Sequence, residues 1–340
     1  MKINFLVPHL KIAGGIMVLV EYAHHLSLSG HDVKVLVVNT TKFQRLCFNL
    51  FYYKPKWLKN KQFKIKAIAK LTEKMLPEAD VLVFSSSEHA LAIENYSQKV
   101  GKKFYIVQHD ERLYHGQKEL VAKTYNLPYV FITVSTWLRD MLVEEFGQKP
   151  HLLLNVLDQE VFHLYNIKKN PDCVRILMLQ HTYKWKGVKE GLDVVNDLKN
   201  KYPNIKLIMY GARQDNAECD EYYFQPIGKA VAEIHAACDI FLCPSWDEGF
   251  GLPSLEAMAC GCVLVTYDNG GSRDYAFDNF TALVAKRRDV QDLKNKLELA
   301  IKDKNLRQDI IYNAQNFIKN MPSWLDQTKK LEKIIKNVYK

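Results

Sequence analysis

Residues 240–261 have the sequence IFLCPSWDEGFGLPSLEAMACG, and this stretch decides the fold. Its first four residues form a short apolar run of the kind found in buried strands. Residues 252–260 have the pattern of a helix, with Pro253 near the first turn and Gly261 as the stop signal. The stretch therefore predicts a buried strand that passes through a glycine-rich turn into a helix.

Two carboxylates in this stretch, Glu248 and Glu256, have seven residues between them. We expect Glu248 in the turn and Glu256 in the first turn of the helix. In open α/β sheets, ligands bind beyond the carboxyl ends of the strands, where helix N-termini direct positive dipoles at them. Gly249 and Gly251 lack a Cβ, so a ligand can approach the backbone amides there, and the carboxylates can accept hydrogen bonds from sugar hydroxyls. An acid that only complements the helix dipole would explain Glu256 but not the whole stretch.

Strands and helices alternate on both sides of this stretch, which is typical of an α/β fold with parallel sheets. The predicted strands are residues 3–7, 33–38, 81–84, 104–107, 130–134, 174–179, 205–210, 240–243 and 263–267. The predicted helices include residues 16–28, 137–146, 188–201, 230–238, 252–260 and 324–339. The polar segment 165–172 separates the two sets and predicts a linker between two doubly wound domains.

The run from Glu248 to Gly261 resembles the signature of family 4 glycosyltransferases, which have two glutamates with this spacing in Glu-Gly-Phe-Gly-Leu-Pro…Glu-Ala-Met-Ala-Cys-Gly. The resemblance implies the GT-B fold, an α/β fold with two doubly wound Rossmann-like domains that face a cleft. It assigns residues 1–160 to an acceptor-binding domain and residues 161–320 to a nucleotide-sugar-binding domain. Residues 321–340 are expected to form a helix that packs back on the first domain.

The resemblance also implies the reaction, which is retaining transfer of a hexose-type sugar from a nucleotide-sugar donor to a glycan or lipid-linked acceptor. The departing phosphate would accept the proton of the acceptor, so positioning and charge stabilisation would provide the rate enhancement. The sequence has no DxD-type metal motif in its strand-end loops. We therefore expect no metal and no cofactor, with the nucleotide-sugar as substrate.

The diphosphate of the donor requires positive charge and backbone amides. Lys186 lies between a predicted strand and a predicted helix, where a lysine can meet a phosphate, and Lys186-Gly187 resembles the Lys-Gly motif of the family. The family usually has an arginine five residues earlier, and this chain has His181 there. An imidazole lacks the charged, forked donor group of an arginine. Either a protonated His181 serves the diphosphate, or Lys184 takes the place of the arginine.

The resemblance implies the remaining donor contacts. Glu256 would accept hydrogen bonds from the ribose, and Glu248 would face the transferred sugar. Sugar hydroxyls or phosphate would be held by the backbone amides of Phe250, Gly251 and Leu252. Gly14 and Gly15 lie in a predicted loop after the first strand, where their amides would approach the phosphate, and Gly211 ends a later strand and would let the donor approach the backbone. The base would lie against residues 225–227.

A histidine marks the predicted acceptor side. His109 follows the strand at residues 104–107 and could hydrogen-bond a sugar there, and the family has a histidine at this point, often followed by an aspartate. The expected catalytic residues are thus Glu248, His109 and Lys186.

The positive charge is concentrated in the first half of the chain. The net charge is +9, and residues 1–150 contain 21 Lys and Arg against 13 Asp and Glu. Residues 42–74 alone contain ten basic residues and one acid, Glu73, interleaved with aromatic residues. This pattern fits a surface that lies on anionic lipid, and also nucleic-acid binding or a solvated face over buried aromatic residues. With a glycosyltransferase indicated, the lipid surface is favoured, and we expect no nucleic-acid partner.

The chain has seven scattered cysteines and no apolar window of about 18 residues, which excludes a transmembrane helix and favours reduced thiols in the cytoplasm. An enzyme on a lipid-linked acceptor would be peripheral on the inner face of the membrane. Two alternatives stay open. His181 in the arginine position suggests a nucleotide-sugar-binding protein that has lost turnover, and the basic first half suggests a nucleic-acid-binding protein, although no recognisable module for that role is present.

Overall fold

A computed structural model describes residues 1–114, 117–213 and 218–339. The chain divides into two compact units. Unit 1 comprises Met1–Val156 and Pro322–Lys340, and unit 2 comprises Leu157–Met321. The last residue, Lys340, lies outside the described residues.

Two sets of parallel strands form the cores of the units. The strands of unit 1 are β1 (Lys2–Val7), β2 (Asp32–Val37), β3 (Lys64–Ala67), β4 (Val81–Phe84), β5 (Lys102–Val107), β6 (Val130–Thr133) and β7 (His151–Leu152). The strands of unit 2 are β8 (Val174–Gln180), β9 (Ile205–Gly211), β10 (Glu221–Phe224), β11 (Ile240–Cys243), β12 (Val263–Tyr267) and β13 (Leu283–Ala285). In the described part of the chain the sheet orders are β3-β2-β1-β4-β5-β6-β7 and β10-β9-β8-β11-β12-β13.

Helices connect the strands, as parallel pairing requires. They are α1 (Gly14–Leu28), α2 (Lys42–Arg45), α3 (Ser87–Ala92), α4 (Lys118–Tyr125), α5 (Thr136–Phe146), α6 (Val188–Lys201), α7 (Lys229–Ala236), α8 (Leu252–Ala259), α9 (Val290–Lys302), α10 (Lys304–Lys319) and α11 (Trp324–Val338). Short 3-10 helices include Lys184–Lys186, and Leu46–Leu50 form a π-helical turn.

The central strands are apolar because helices cover both faces of each sheet. Every residue of β4, β11 and β12 is buried. The final helix α11 belongs to unit 1 and packs on α1, where the Trp324 ring lies 5.2 Å from the Tyr22 ring and 5.7 Å from the His25 ring. The predicted fold class, with a returning C-terminal helix, is confirmed.

Long apolar strands were predicted well, and short edge strands were missed. The bounds of β11 and β12 agree with the prediction, whereas β3, β7, β10 and β13 were not foreseen. β3 has the sequence KIKA, and its lysines gave the segment the appearance of a charged surface. The predicted linker at residues 165–172 lies inside unit 2, where Lys169 Nζ donates a hydrogen bond of 2.5 Å to the carbonyl of Cys238.

No helix in the described ranges is both long and apolar enough to cross a membrane. All seven cysteines fall within those ranges and carry free thiols, as expected for reduced residues.

Candidate functional site

The order of the strands in unit 2 reverses between β8 and β11. β8 pairs with β9 on one side and with β11 on the other, and both pairings are parallel. The loops that follow β8 and β11 therefore leave the sheet side by side at its carboxyl edge. Such a switch point is where open α/β sheets bind ligands. Four of the predicted site residues, His181, Lys186, Glu248 and Gly251, line one pocket there.

A buried ion pair connects the two loops. Lys186 Nζ donates a hydrogen bond of 2.6 Å to Glu248 Oε1, and both side chains are largely shielded from solvent. Burial alone would lower the pKa of Lys186, but the charge and hydrogen bond of Glu248 outweigh this effect, and the pKa is raised. The charged form of Lys186 is therefore favoured at the carboxyl ends of two neighbouring strands.

Gly187 fixes the position of this lysine. Its φ angle is +64°, and a Cβ on it would lie 1.9 Å from the carbonyl oxygen of Pro244. The loops are also joined through Trp246, whose amide donates a hydrogen bond of 2.8 Å to the Trp185 carbonyl. No other residue type fits at position 187, because both the backbone conformation and the available space require glycine.

A backbone hydrogen bond sets the tautomer of His181. Its Nδ1 accepts a hydrogen bond of 3.1 Å from the amide of Tyr183, so the neutral ring carries its proton on Nε2. Burial lowers the pKa of His181, and the nearby charges of Lys186 and Arg213 lower it further against the opposing effect of Glu248. This environment disfavours a protonated imidazole in the absence of a ligand.

The other candidate for the arginine's place, Lys184, lies at the edge of the same loop. It is exposed, and its Nζ is 6.0 Å from the centre of the Trp246 ring. That distance is within reach of a weak cation–π contact.

The side chain of Tyr275 holds the turn before α8 in place. The Tyr275 hydroxyl donates to the carbonyl oxygens of Phe250 and Gly251, at 2.9 and 2.8 Å. Gly251 has a φ of +88°, and a Cβ on it would lie 2.7 Å from that hydroxyl. Gly251, the residue that precedes α8, has no side chain with which to cap the helix. The amide end of α8, which begins at Leu252, is thus presented at the switch point, where it favours an anion.

Glu256 is the fifth residue of α8, so the expectation that it lies in the first turn is wrong. Pro253 occupies the first turn, and the helix begins at Leu252. The dipole of a helix acts mainly within its first turn, so complementing the dipole does not explain Glu256. Desolvation raises the pKa of Glu256 to about 7, with a smaller contribution from the charge of Asp158. A carboxyl with so perturbed a pKa is a candidate functional group.

The loop after β12 completes the site, and sequence reasoning missed it. The backbone carbonyl of Asn269 accepts a hydrogen bond of 3.0 Å from the amide of Glu248, and Gly270 forms a parallel β-bridge with Glu248. A Cβ on Gly271 would lie 2.7 Å from the carbonyl oxygen of Glu248. The signal was available in the sequence as the Gly270-Gly271 pair shortly after an apolar strand.

Gly211 ends β9, and strand packing is sufficient to explain it. A Cβ there would lie 2.8 Å from the carbonyl oxygen of Gln180 on the neighbouring strand. The amide of Gln225, the first residue of the predicted base-binding segment, donates 2.8 Å to the Gly211 carbonyl. Residues 225–227 therefore begin beside Gly211 in the same unit.

The remaining predicted residues belong to unit 1. Gly14 and Gly15 were expected in a loop, and they form the first residues of α1, at the carboxyl end of β1. Gln108 Nε2 donates to the Gly15 carbonyl at 3.0 Å and to Ser85 Oγ at 2.7 Å. Because β1 pairs with β2 on one side and β4 on the other, this cluster occupies the switch point of unit 1.

His109 follows β5 beside this cluster, and its ring stacks on that of Tyr114 with 6.0 Å between centres. The neighbouring Asp110 is buried and accepts hydrogen bonds from Arg112, the two shortest of which come from the guanidinium group at 2.9 and 2.8 Å. Asp110 is therefore committed to an internal ion pair.

Among the described residues, no group of three or more His, Cys, Asp and Glu side chains is arranged to hold a metal ion.

Comparison with known proteins shows which sequences part of the chain resembles. Residues 165–317 match the sequence model of the family described as glycosyl transferases group 1. The chain is 32% identical over 184 residues to the N,N'-diacetylbacillosaminyl-diphospho-undecaprenol alpha-1,3-N-acetylgalactosaminyltransferase of Campylobacter jejuni. That match covers 51% of this chain and 47% of the relative, so the chain spans about half of the relative's length. Two further curated relatives are also matched over less than two thirds of their length.

Solved structures match nearly the whole chain. The Anabaena protein HepE in complex with UDP and glucose has a TM-score of 0.79 at 16% identity, covering 99% of this chain and 100% of that one. A sucrose-phosphate synthase from Thermosynechococcus elongatus has a TM-score of 0.80 at 12% identity, covering 99% of both chains. At such low identity the likeness establishes the fold alone, and that fold is GT-B.

Proposed function

We propose that the protein is a glycosyltransferase that takes its sugar from a nucleotide-sugar bound by unit 2 and transfers it to an acceptor bound by unit 1. One observation carries this proposal. The buried pair of Lys186 and Glu248 lies at the switch point of unit 2, beside the uncapped N-terminus of α8. A cation and a helix N-terminus suit a diphosphate, and a carboxylate beside them suits sugar hydroxyls.

The diphosphate, the transferred sugar and the ribose of the nucleotide-sugar then each have a partner in the protein. Lys186 and the Nε2–H of His181 donate to the diphosphate, together with the amides around Gly251. Glu248 accepts hydrogen bonds from the transferred sugar, and Glu256 accepts them from the ribose. The site has one fixed cation fewer than the family pattern, because His181 replaces an arginine.

The proposed reaction retains the configuration at the anomeric carbon. The bond between that carbon and the phosphate oxygen breaks, and a bond to the acceptor oxygen forms on the same face. The acceptor's proton passes to the departing phosphate, so no protein nucleophile, metal or cofactor takes part. Lys186 stabilises the charge that develops on the phosphate. The name of the Campylobacter relative specifies an alpha product, as retention gives from an alpha-linked donor.

We propose a lipid-linked acceptor, with His109 as the side chain that positions its hydroxyl. The name of the Campylobacter relative contains a diphospho-undecaprenol acceptor, which supports this choice over a free glycan. The free thiols of all seven cysteines, each within the described ranges, support a reducing compartment such as the cytoplasm.

The test has two stages. Thermal-shift measurements with a panel of nucleotide-sugars should identify a donor, because a ligand that binds only the folded protein raises its stability with concentration. The donor should then be consumed over many turnovers, by slow hydrolysis or by transfer to undecaprenyl-diphosphate-linked sugars. No stabilisation by any nucleotide-sugar would refute the proposal.

The second candidate is a nucleotide-sugar-binding protein without turnover, and the neutral His181 favours it. This protein would be stabilised by a donor and would never consume it. His181→Arg would restore the missing charge, so an inactive wild type and an active variant would identify this case.

A further inference from the structure

Residues 43–53 expose an unusual number of large apolar side chains. They include Phe43, which is 73% exposed, Phe51, which is 67% exposed, and Tyr52, which is 81% exposed. The other exposed members are Leu46, Leu50 and Tyr53. We refer to residues 43–53 as the exposed aromatic segment. Contiguous apolar exposure on this scale marks a surface that binds a partner or a membrane.

The segment is held in place by hydrogen bonds. The side chain of Asn49 donates a hydrogen bond of 2.9 Å to the Ala67 carbonyl and accepts one of 2.8 Å from the Ala67 amide. These two bonds connect the segment to the edge strand β3. Within the segment, the amide of Tyr53 donates 3.0 Å to the Cys47 carbonyl. The exposed rings are therefore fixed on an ordered backbone.

Tyr52 adopts a φ of +49°, which is uncommon and unfavourable for a bulky residue. Phe63 and Leu58 of the same region are buried, whereas the Tyr52 ring is largely exposed.

Lysines surround the segment. Those that are exposed between residues 42 and 74 are Lys42, Lys56, Lys59, Lys64, Lys66, Lys70 and Lys74. The one acid in this range, Glu73, accepts a hydrogen bond of 2.9 Å from the amide of Ser97. Two other lysines have internal roles. Lys54 Nζ donates 2.6 Å to the Lys61 carbonyl, and Lys61 Nζ pairs with Glu21 at 2.6 Å.

We infer that the exposed aromatic segment inserts into the headgroup region of an anionic lipid bilayer, with the exposed lysines on the lipid phosphates. Aromatic rings and leucines between cations match such a surface, because the apolar side chains leave water while the ammonium groups meet negative charge. Leu46 and Leu50 have no face on which a base could stack, so the composition favours lipid over nucleic acid. This inference does not depend on the donor chemistry. Under the proposed function, it would bring unit 1 to a lipid-linked acceptor.

Vesicle co-sedimentation tests the apolar part. At low salt the wild-type protein should bind vesicles of phosphatidylcholine mixed with phosphatidylglycerol and should not bind phosphatidylcholine alone. The double variant Phe51→Ser/Tyr52→Ser should bind the anionic vesicles about tenfold or more weakly, because two apolar insertions are lost. The matched control is Tyr312→Ser, since Tyr312 on α10 of unit 2 is 69% exposed. This variant should bind like the wild type.

Charge reversal tests the electrostatic part. Lys42→Glu/Lys56→Glu/Lys59→Glu should abolish binding to anionic vesicles, and added salt should weaken wild-type binding. The matched control reverses three exposed lysines of unit 2, Lys302, Lys304 and Lys319. Both triple variants should keep the thermal stabilisation by a nucleotide-sugar, so a failure of membrane binding is distinguishable from a failure of the proposed function.

Insertion itself has a spectroscopic readout. In a Phe51→Trp variant, the emission of the new tryptophan, taken as the difference from wild type, should shift to the blue when anionic vesicles are added. The inference is overturned if the wild type ignores anionic vesicles at low salt, or if the serine variant binds them as well as wild type does. It is also overturned if the segment instead binds single-stranded RNA or a second copy of the chain in the absence of lipid.

Discussion

The charge of Lys186 depends on one neighbour, and this makes the pair sensitive to single substitutions. Glu248 keeps the lysine charged despite its burial, and the lysine keeps the carboxylate from repelling a diphosphate. An arriving diphosphate would share the ammonium group with Glu248. Removal of either residue of the pair should therefore affect phosphate recognition, although, of the two, only Lys186 contacts the phosphate in the proposed complex.

Lys186→Ala should weaken binding of the donor's nucleoside diphosphate about 10- to 100-fold, because a charge-assisted hydrogen bond is worth about 1.5–3 kcal/mol. Binding of the corresponding nucleoside should change little. Titration calorimetry with both ligands checks this, and Lys189→Ala, an exposed lysine three residues away, is the matched control. Equal diphosphate affinity in the wild type and in Lys186→Ala would remove Lys186 from the site.

Glu256 should give nucleoside binding a pH dependence. Its pKa of about 7 means that the carboxyl is protonated below that pH and ionised above it. If the ionised form accepts the ribose hydroxyls, nucleoside affinity should rise as the pH increases through 7, and Glu256→Gln should bind more weakly without that rise. A wild-type affinity that is constant between pH 6 and pH 8 would contradict the ribose role.

The same residue should influence stability. The pKa of Glu256 is raised from 4.5 in the unfolded chain to about 7 in the folded protein, so folding favours the protonated form. Stability should fall as the pH rises from 4.5 to 7, where the unfolded chain binds fewer protons than the folded one. Glu256→Gln should lack that fall and melt at a higher temperature than wild type at pH 8. The exposed Glu233→Gln on α7 is the control and should leave the melting temperature unchanged.

Sequence patterns located the residues of the site but not their electrostatic states. Lys186 and Glu248 were assigned to the site because each follows an apolar strand. The order of the strands in the sheet could not be read from one sequence, so the contact between the two side chains was not foreseen. The first helical residue of α8 was predicted correctly as Leu252, and Glu256 was still assigned to the first turn although it is the fifth residue from that start. Tyr275 was missed, since a hydroxyl that binds backbone carbonyls leaves no pattern in the sequence.

At the scale of elements, the loop between β8 and α6 depends on one tight approach to β11. Gly187 and Gly147 both have left-handed backbone conformations, with φ and ψ of 64° and 15° at Gly187 and of 61° and 18° at Gly147. A Cβ on Gly187 would lie 1.9 Å from a backbone oxygen, whereas a Cβ on Gly147 has nothing within 4 Å. The two positions therefore separate backbone strain from steric collision.

Gly187→Ala should lower the melting temperature of the protein far more than Gly147→Ala does. Backbone strain alone should cost about 1 kcal/mol or somewhat more at either position, and the collision with Pro244 adds to it only at position 187. Gly187→Ala should also lose donor stabilisation because Lys186 is displaced. Thermal melts with and without nucleotide-sugar provide both measurements, and similar melting temperatures for the two variants would show that the loop can move away from β11.

At the scale of the whole molecule, unit 1 is built from two separate parts of the chain. Helix α11 supplies Leu331, which is fully buried, to the core of this unit, whereas Leu325 on the same helix is largely exposed. Leu331→Ala should destabilise unit 1 by about 2–5 kcal/mol, and Leu325→Ala by less than about 0.5 kcal/mol.

Hydrogen exchange followed by mass spectrometry would locate this effect. Amides in β1 and α1 of unit 1 should exchange faster in Leu331→Ala, and amides in β11 and β12 of unit 2 should be unchanged. Faster exchange in both units to the same extent would show that they unfold together.

The division of the chain also determines which unit is completed first during synthesis. Unit 2 is one continuous segment, residues 157–321, placed between the two parts of unit 1. A ribosome therefore completes unit 2 before it releases the helix that unit 1 still lacks. Until then the face of α1 that receives Trp324 is uncovered, and a nascent chain at this stage presents apolar surface to chaperones. Folding of unit 2 then shortens the loop that α11 must span to reach its partner, because a compact domain replaces 165 residues of flexible chain, from 157 through 321. Folding of unit 2 thus makes it easier for α11 to complete unit 1.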